Sequence, residues 1–292
     1  MKRVTVVILG AGVLWVLANW PGPLGGLPFC VVLAMASPAF LSLWRDRERE
    51  LGASRRLFCP WDPFDVALAL LAYLTFQVIV WYAIDAAWPG DKPTWLSGLG
   101  AAALSIPLVL AVLWLLRWRY GLWPRDLGIR FHRWKGDLLL AVGLLLIVVV
   151  VVTALASVFS FLHNVYKVPV KDQEAVSLMK QATSLWGTLV MVTVAVVWAP
   201  LWEETMFRGF LQPFFRRYLG GAASIVLTAA LFSLIHDPGS TFFRVPVLLF
   251  PLALALGYAY HRTQRLAAPI FLHLMFNSWT VVQVIQARAV GG

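Results

Sequence analysis

The sequence predicts an all-α protein, a polytopic bundle of about eight or nine transmembrane helices. Three observations predict this fold class. Hydrophobic residues make up 60% of the 292 residues and charged residues 13%, about half the charged fraction of a soluble domain. The mean hydropathy is +0.77, and apolar runs long enough for helices recur along the chain. This composition excludes a disordered chain, and two cysteines make a disulfide-rich scaffold a poor description.

A bilayer core requires about 20 apolar residues per helix. We predict nine spans, some of them short: residues 4–20, 29–44, 66–88, 95–116, 138–161, 185–215, 222–236, 245–260 and 269–286. The first run follows Lys2 and Arg3, as in a signal peptide, but no small-residue cleavage site follows it. We therefore favour a retained helix. The polar segment 162–184 is predicted to contain a short lid helix on the outer side.

The basic residues predict the orientation of the spans. If the N-terminus is cytoplasmic, 18 of the 24 Lys and Arg residues fall on the cytoplasmic side, in agreement with the positive-inside rule. The net charge of +10 then reflects loops that face anionic lipid headgroups rather than nucleic acid. Residues 117–137, rich in aromatic and basic side chains, are predicted to lie on the membrane surface. We expect an integral protein of a bacterial or archaeal plasma membrane.

Ionisable residues inside the predicted spans are concentrated in the last third of the chain. A charge in the hydrocarbon core costs a few kcal/mol or more, so such residues are candidates for function. They fall into three motifs, E-E-x-x-x-R, F-x-x-x-H and H-x-x-x-N, each on a different span. The candidate residues are Glu203, Glu204, Arg208, His236, His273 and Asn277.

Their spacing predicts that these residues meet at one depth. Glu203 lies 17 residues before Gly220 and His236 lies 16 residues after it. A helical hairpin that reverses at this glycine therefore brings them to the same level. His273 and Asn277 lie about 12 and 18 Å into the last span, and their i, i+4 spacing places them on one helix face.

Each residue also has a plainer interpretation. Glu204 and Arg208 are four residues apart and are expected to form a buried ion pair that orients the site. A lone histidine at a helix end, such as His236, is usually an interfacial residue. A lone asparagine in a membrane helix, such as Asn277, commonly links two helices. The conjunction of four suitable groups at one depth favours a functional site.

The residue types indicate the chemistry. Glu203 and His236 beside one water form a general base, and N–H donors from His273 and Asn277 suit a developing oxyanion. The predicted reaction is attack of water on an acyl carbon, and we favour a peptide bond. The competing chemistry is a zinc site with Glu203, His236 and His273 as ligands. We expect no cofactor, since the sequence lacks an H-E-x-x-H motif.

The three motifs resemble those of the CAAX prenyl protease and bacteriocin-processing (CPBP) family of glutamic intramembrane endopeptidases. They occur in the family's order, and the resemblance covers about residues 185–286. It implies that Glu203 and His236 activate the water. It also implies that His273 and Asn277 form the oxyanion hole. The second glutamate and the arginine of the first motif would support Glu203 or contact the substrate.

We therefore predict two regions, N-terminal membrane helices over residues 1–184 and a CPBP-like protease core over residues 185–292, with the active site within the bundle. The expected substrate is a membrane-associated or C-terminally tagged protein, and no nucleic-acid partner is expected. Two other functions stay open. A non-catalytic immunity or scaffold protein would not require the intact motif residues. A proton-coupled transporter, with Glu203 and His236 as the relay, would not confine its polar groups to one third of the chain.

Overall fold

The computed structural model describes residues 59–88, 94–167, 174–182, 184–237 and 243–291, and every regular element in these ranges is helical. In chain order the helices are α1 (Pro63–Ala87), α2 (Thr94–Tyr120), α3 (Trp134–Tyr166), α4 (Glu174–Gln181), α5 (Leu185–Leu219), α6 (Gly221–Leu234), α7 (Arg244–Thr263) and α8 (Ala267–Gly291). A short 3-10 helix, Pro124–Leu127, connects α2 to α3. The predicted all-α architecture is confirmed for the described residues.

Seven of the predicted spans coincide with helices α1, α2, α3, α5, α6, α7 and α8. The predicted spans 4–20 and 29–44 lie outside the described residues. Among the described helices, α3, α5, α7 and α8 are long and apolar enough to cross a membrane, whereas α6 has only 14 residues. The class of helical membrane protein is therefore supported, but the total of eight or nine spans is not confirmed.

Charged side chains tie neighbouring helices together at their ends. Asp65 sits in the first turn of α1, where it completes a capping box with Asp62. Its carboxylate also pairs with Arg119 of α2 at 2.8 Å. Between α7 and α8, the Nε of Arg265 donates to Asp137 of α3 at 2.9 Å. Because Asp65 and Asp137 are fully buried, both arginines have a structural role in addition to any contact with headgroups.

Helix α7 lies at the centre of the bundle and contacts α5, α6 and α8, the three helices that carry the motifs. Its approach to α6 is close, because a Cβ atom on Gly257 would lie 2.9 Å from Ile225 Cγ2. Neighbouring Ala253 and Leu256 are fully buried. Small residues on one face of α7 thus let the motif helices surround it.

The outer helices present apolar side chains on the bundle's outer surface. Leu139 of α3 is 75% exposed, and Val150 on the same helix is exposed too. So much apolar surface is unusual for a soluble monomer but ordinary for a lipid-facing helix. In the last turn of α2, the Arg117 guanidinium lies 4.3 Å from the ring centre of Trp123, which belongs to the connection to α3. The predicted surface segment therefore pairs basic with aromatic side chains, as a headgroup-level segment does.

Cys59, which precedes α1, is expected to react slowly. Burial raises the pKa of its thiol from 9.0 to about 12. Because the thiolate is the nucleophile, at pH 8 we expect maleimide labelling on the order of 10³-fold slower than for an unperturbed thiol, with the rate rising with pH. The measurement uses a Cys30→Ser background, with Arg133→Cys as the exposed control. Equal labelling rates at the two positions would contradict the burial of Cys59.

Candidate active site

Helix α5 carries two adjacent carboxylates, and its backbone departs from α-helical geometry on both sides of them. Segments Val194–Trp198 and Thr205–Leu211 have π-helical hydrogen bonding, and the α-helical segment Ala199–Glu204 lies between them. A π turn holds more residues than an α turn and is frequent at functional sites. Glu203 and Glu204 therefore lie at the end of an α-helical turn between two widened turns.

A proline follows each π segment. At the first segment, the N–H of Ala199 donates to the carbonyl of Val194, five residues back. The next residue is Pro200, which has no N–H and whose ring would clash with the carbonyl four residues back in an α-helix. The second segment is followed in the same way by Pro213, after Gln212. The widened turns are thus the local response to these prolines.

Glu204 is the centre of a buried charge network. Its Oε1 atom lies 3.0 Å from an Arg208 guanidinium nitrogen and 2.8 Å from Nδ1 of His273. Arg208 also donates to the carbonyl of Ala253 at 3.2 Å and stands 4.6 Å from the Phe232 ring centre. Glu204 and Arg208 are both fully buried. Arg208 is therefore not one of the basic residues that face the lipid headgroups. The network joins α5, α6, α7 and α8.

Glu203 faces two histidines from different helices. Its Oε2 atom lies 3.7 Å from Nε2 of His236 and 3.8 Å from Nε2 of His273. The side chains of Glu203, His236 and His273 are only 12%, 16% and 4% exposed. Within the described part of the chain, this buried oxygen makes no hydrogen bond. Both separations are longer than a direct hydrogen bond and suit a bridging water.

The other ring nitrogen of each histidine is held by a hydrogen-bond acceptor. Nδ1 of His236 lies 2.6 Å from the carbonyl oxygen of Phe232, and Nδ1 of His273 contacts the Glu204 carboxylate. A carbonyl and an ion-paired carboxylate can only accept, so we assign the proton to Nδ1 in both rings. The Nε2 atom of each ring therefore faces Glu203 and carries a lone pair when the ring is neutral.

Asn277 lies one helical turn beyond His273 on α8. Its Nδ2 donates to the carbonyl of Ala195, in the first π segment, at 2.7 Å. This hydrogen bond fixes the orientation of the amide. Because Nδ2 carries two hydrogens, the second remains available to an acceptor in the adjacent cavity.

These groups share one cavity of about 120 Å³, lined by Glu203, His236, His273 and Asn277. The remaining lining is mostly apolar and includes Val176, Met179, Leu249, Phe276, Val281 and Val284. Helix α4, in the segment predicted to contain a lid, supplies two of these residues. Arg288 of α8 donates to the carbonyls of Met179 and Ala182 and so holds the end of α4 against α8. The cavity lining thus combines four polar motif residues with a larger number of apolar side chains.

The residues proposed as alternative zinc ligands do not form a ligand set. Across the described ranges, no three His, Cys, Asp or Glu side chains are placed to hold one metal ion. The Nε2 atoms of His236 and His273 do face Glu203. Hydrolysis without a metal ion stays a prediction.

The six candidate residues lie together, although their catalytic roles stay predictions. Glu203, His236, His273 and Asn277 line one cavity, so the structure brings these four residues together. The hydrogen bond between Glu204 and His273 was not predicted from the sequence. The spacing of residues within a motif does not tell how one helix is rotated about its axis relative to another. Phe232 was also not predicted as the acceptor for His236; the F-x-x-x-H spacing was the available signal. The two prolines of α5 were the available signal for the π segments.

One segment of the chain matches a known protein family. Residues 185–279, about a third of the chain, match the family model described as type II CAAX prenyl endopeptidase Rce1-like. This segment contains all three motifs. The resemblance to the CAAX protease family is therefore confirmed for this segment, which supports a membrane protease.

A relative has been found in a bacterium. The UPF0177 protein YaiF of Lactococcus lactis subsp. lactis (strain IL1403) is 30% identical over 146 residues. The alignment covers 50% of this chain and 62% of the relative, so the chain spans less than two thirds of that protein. No solved structure matches the chain.

Proposed function

We propose that this chain is an intramembrane endopeptidase that hydrolyses a peptide bond with a water molecule activated by Glu203 and His236. The observation that supports this most is the placement of the Glu203 carboxylate across a gap from two imidazole Nε2 atoms, beside a cavity that Asn277 also lines. A carboxylate with an unpaired buried oxygen is suited to accept a proton from water.

In the proposed reaction, water bridges Glu203 and His236 and attacks the carbonyl carbon of the scissile bond. Its proton passes to Glu203 as the new C–O bond forms, and the carbonyl electron pair moves to oxygen. When this tetrahedral intermediate collapses, the C–N bond breaks and Glu203 returns the proton to the leaving amine. His236 keeps the water in line, with its ring oriented by the carbonyl of Phe232.

The developing oxyanion receives donors from α8. Asn277 offers its second Nδ2 hydrogen, since the first is donated to Ala195. His273 can donate through Nε2 only as an imidazolium, because Nδ1 already donates to Glu204. The Glu204 carboxylate accepts from Nδ1 at 2.8 Å and so fixes the direction in which Nε2 points. Glu204 is thereby assigned a role in orienting His273 rather than in activating water.

The apolar part of the cavity indicates the substrate. Val176 and Met179 from α4 face Val281 and Val284 from α8 beside the polar groups. Such a surface binds apolar side chains or a lipid-like chain and disfavours charged ones. The proposed substrate is therefore an apolar segment of a membrane-associated protein that enters next to α4.

Reconstitution tests this proposal. We expect the purified protein in liposomes to cleave at least one of a series of membrane-anchored reporters with apolar test segments, and product masses to locate the bond. Matched reporters with Lys or Glu in the same segment are expected to be cleaved at least about tenfold more slowly, because a charge must be desolvated. If no reporter is cleaved by folded protein, the result contradicts the proposal and favours a non-catalytic scaffold.

A further inference from the structure

We infer that Pro200 positions Asn277, because it withholds the backbone N–H that would otherwise occupy the carbonyl of Ala195. The inference rests on the proposed function, in which Asn277 donates to the oxyanion. Pro200 is buried in α5 and lies next to Ala199, which lines the cavity. It is a positioning residue that acts through a backbone oxygen and a second helix.

The hydrogen bonds around Ala195 carry the first step. In a helix, the carbonyl of residue 195 accepts from the N–H of residue 199 in α geometry or of residue 200 in π geometry. The N–H of Ala199 donates to Val194 instead. Residue 200 is proline, which has no N–H to give. The carbonyl of Ala195 is thus left without its regular backbone donors.

Asn277 supplies the donor that the backbone lacks. Its Nδ2 lies 2.7 Å from the carbonyl oxygen of Ala195. A buried carbonyl requires a partner, and an asparagine with one amide hydrogen fixed points its second hydrogen in a defined direction. Ala195 and Asn277 both line the cavity, together with Glu203. The proline on α5 therefore determines where a donor on α8 points.

An alanine at position 200 would change this arrangement without removing any group from the cavity. Its N–H could donate to the carbonyl of Ala195 in π geometry. Alternatively, the turn would relax to α geometry and the N–H of Ala199 would take that carbonyl. In either case Asn277 competes with a backbone donor, and its amide is no longer held in one direction.

A double-mutant cycle tests the coupling. Wild type, Pro200→Ala, Asn277→Ala and the double variant are compared for kcat, KM and unfolding midpoint. We expect Pro200→Ala to lower kcat about tenfold, part of the 10²–10³-fold loss typical of removing an oxyanion donor, with KM within about twofold. In the Asn277→Ala background, Pro200→Ala is expected to have no further effect on kcat.

Pro213→Ala, which removes the proline after the other π segment, is the matched control. The factor by which it changes kcat should be the same with and without Asn277→Ala.

The unfolding midpoint provides a readout that does not depend on cleavage. Asn277→Ala should lower the midpoint in the wild-type background, because it removes the bond to Ala195, and lower it less when residue 200 is alanine. If wild type cleaves no reporter, the proposed function fails, but this midpoint comparison still decides the positioning role. Independent effects of the two changes on both kcat and midpoint, or an unchanged kcat in Pro200→Ala, would overturn the inference.

Discussion

Replacing Glu203 by glutamine is expected to reduce kcat for reporter cleavage by about 10²–10⁴-fold, the range for loss of a general base. The amide has the size of the carboxylate but cannot accept the proton of the attacking water. In the wild-type structure, the Oε2 atom of Glu203 lies 3.7 Å from Nε2 of His236 and 3.8 Å from Nε2 of His273. No hydrogen bond in the described part of the structure depends on this oxygen. The fold should therefore survive the change.

The unfolding midpoint of Glu203→Gln is expected to stay close to that of wild type. The loss of cleavage can then be attributed to the missing base rather than to unfolding. Asp126→Asn is the matched control, since it makes the same acid-to-amide change in the 3-10 helix between α2 and α3, away from the cavity. We expect this control to keep its rate. Cleavage by Glu203→Gln at the wild-type rate would exclude Glu203 as the base.

Replacing Arg208 by alanine is expected to destabilise the protein by about 3–5 kcal/mol, the cost of leaving a buried charge without its partner. Glu204 and Arg208 are fully buried and 3.0 Å apart, so the remaining carboxylate would have no water to compensate it. His273, the other partner of Glu204, would lose its orientation at the same time. Stability and cleavage should therefore fall together. The measurement is unfolding in mild detergent alongside the reporter assay.

An exposed pair with the same spacing gives the matched control for Arg208. Asp126 and Arg130 are also four residues apart, but lie 3.9 Å from each other with side chains 35% and 50% exposed. Exposed pairs contribute about 0–1 kcal/mol, so Arg130→Ala should leave the unfolding midpoint nearly unchanged. Equal, small losses for Arg208→Ala and Arg130→Ala would show that the buried network does not stabilise the bundle.

The sequence predicts the helices and the common depth of the motif residues because both depend on regular geometry. Apolar run lengths place helices α3, α5, α7 and α8, and the i, i+4 spacing places Glu204 beside Arg208. Counting residues from Gly220 brings Glu203 and His236 to one level, because both arms of a hairpin rise equally. That glycine ends α5 with φ of 84° and ψ of 178°, a backbone region that essentially only glycine adopts.

The contacts between helices could not be predicted in the same way. The hydrogen bond from His273 to Glu204 depends on how α8 is rotated against α5, and spacing within either helix does not fix that rotation. The bond from Asn277 to Ala195 depends on a π segment, which interrupts the regular geometry that spacing arguments assume. The proline that accompanies it is visible in the sequence, but its effect on the turn becomes clear only in three dimensions.

The most direct test of the central claim is the rate of reporter cleavage by wild type and Glu203→Gln, each measured before and after removal of divalent metals with a chelator. We predict that wild type cleaves equally well in both conditions and that Glu203→Gln cleaves in neither. This result would make water activated by Glu203 the source of the hydrolysis. Loss of wild-type cleavage on chelation with recovery on adding zinc would contradict it, as would full activity of Glu203→Gln.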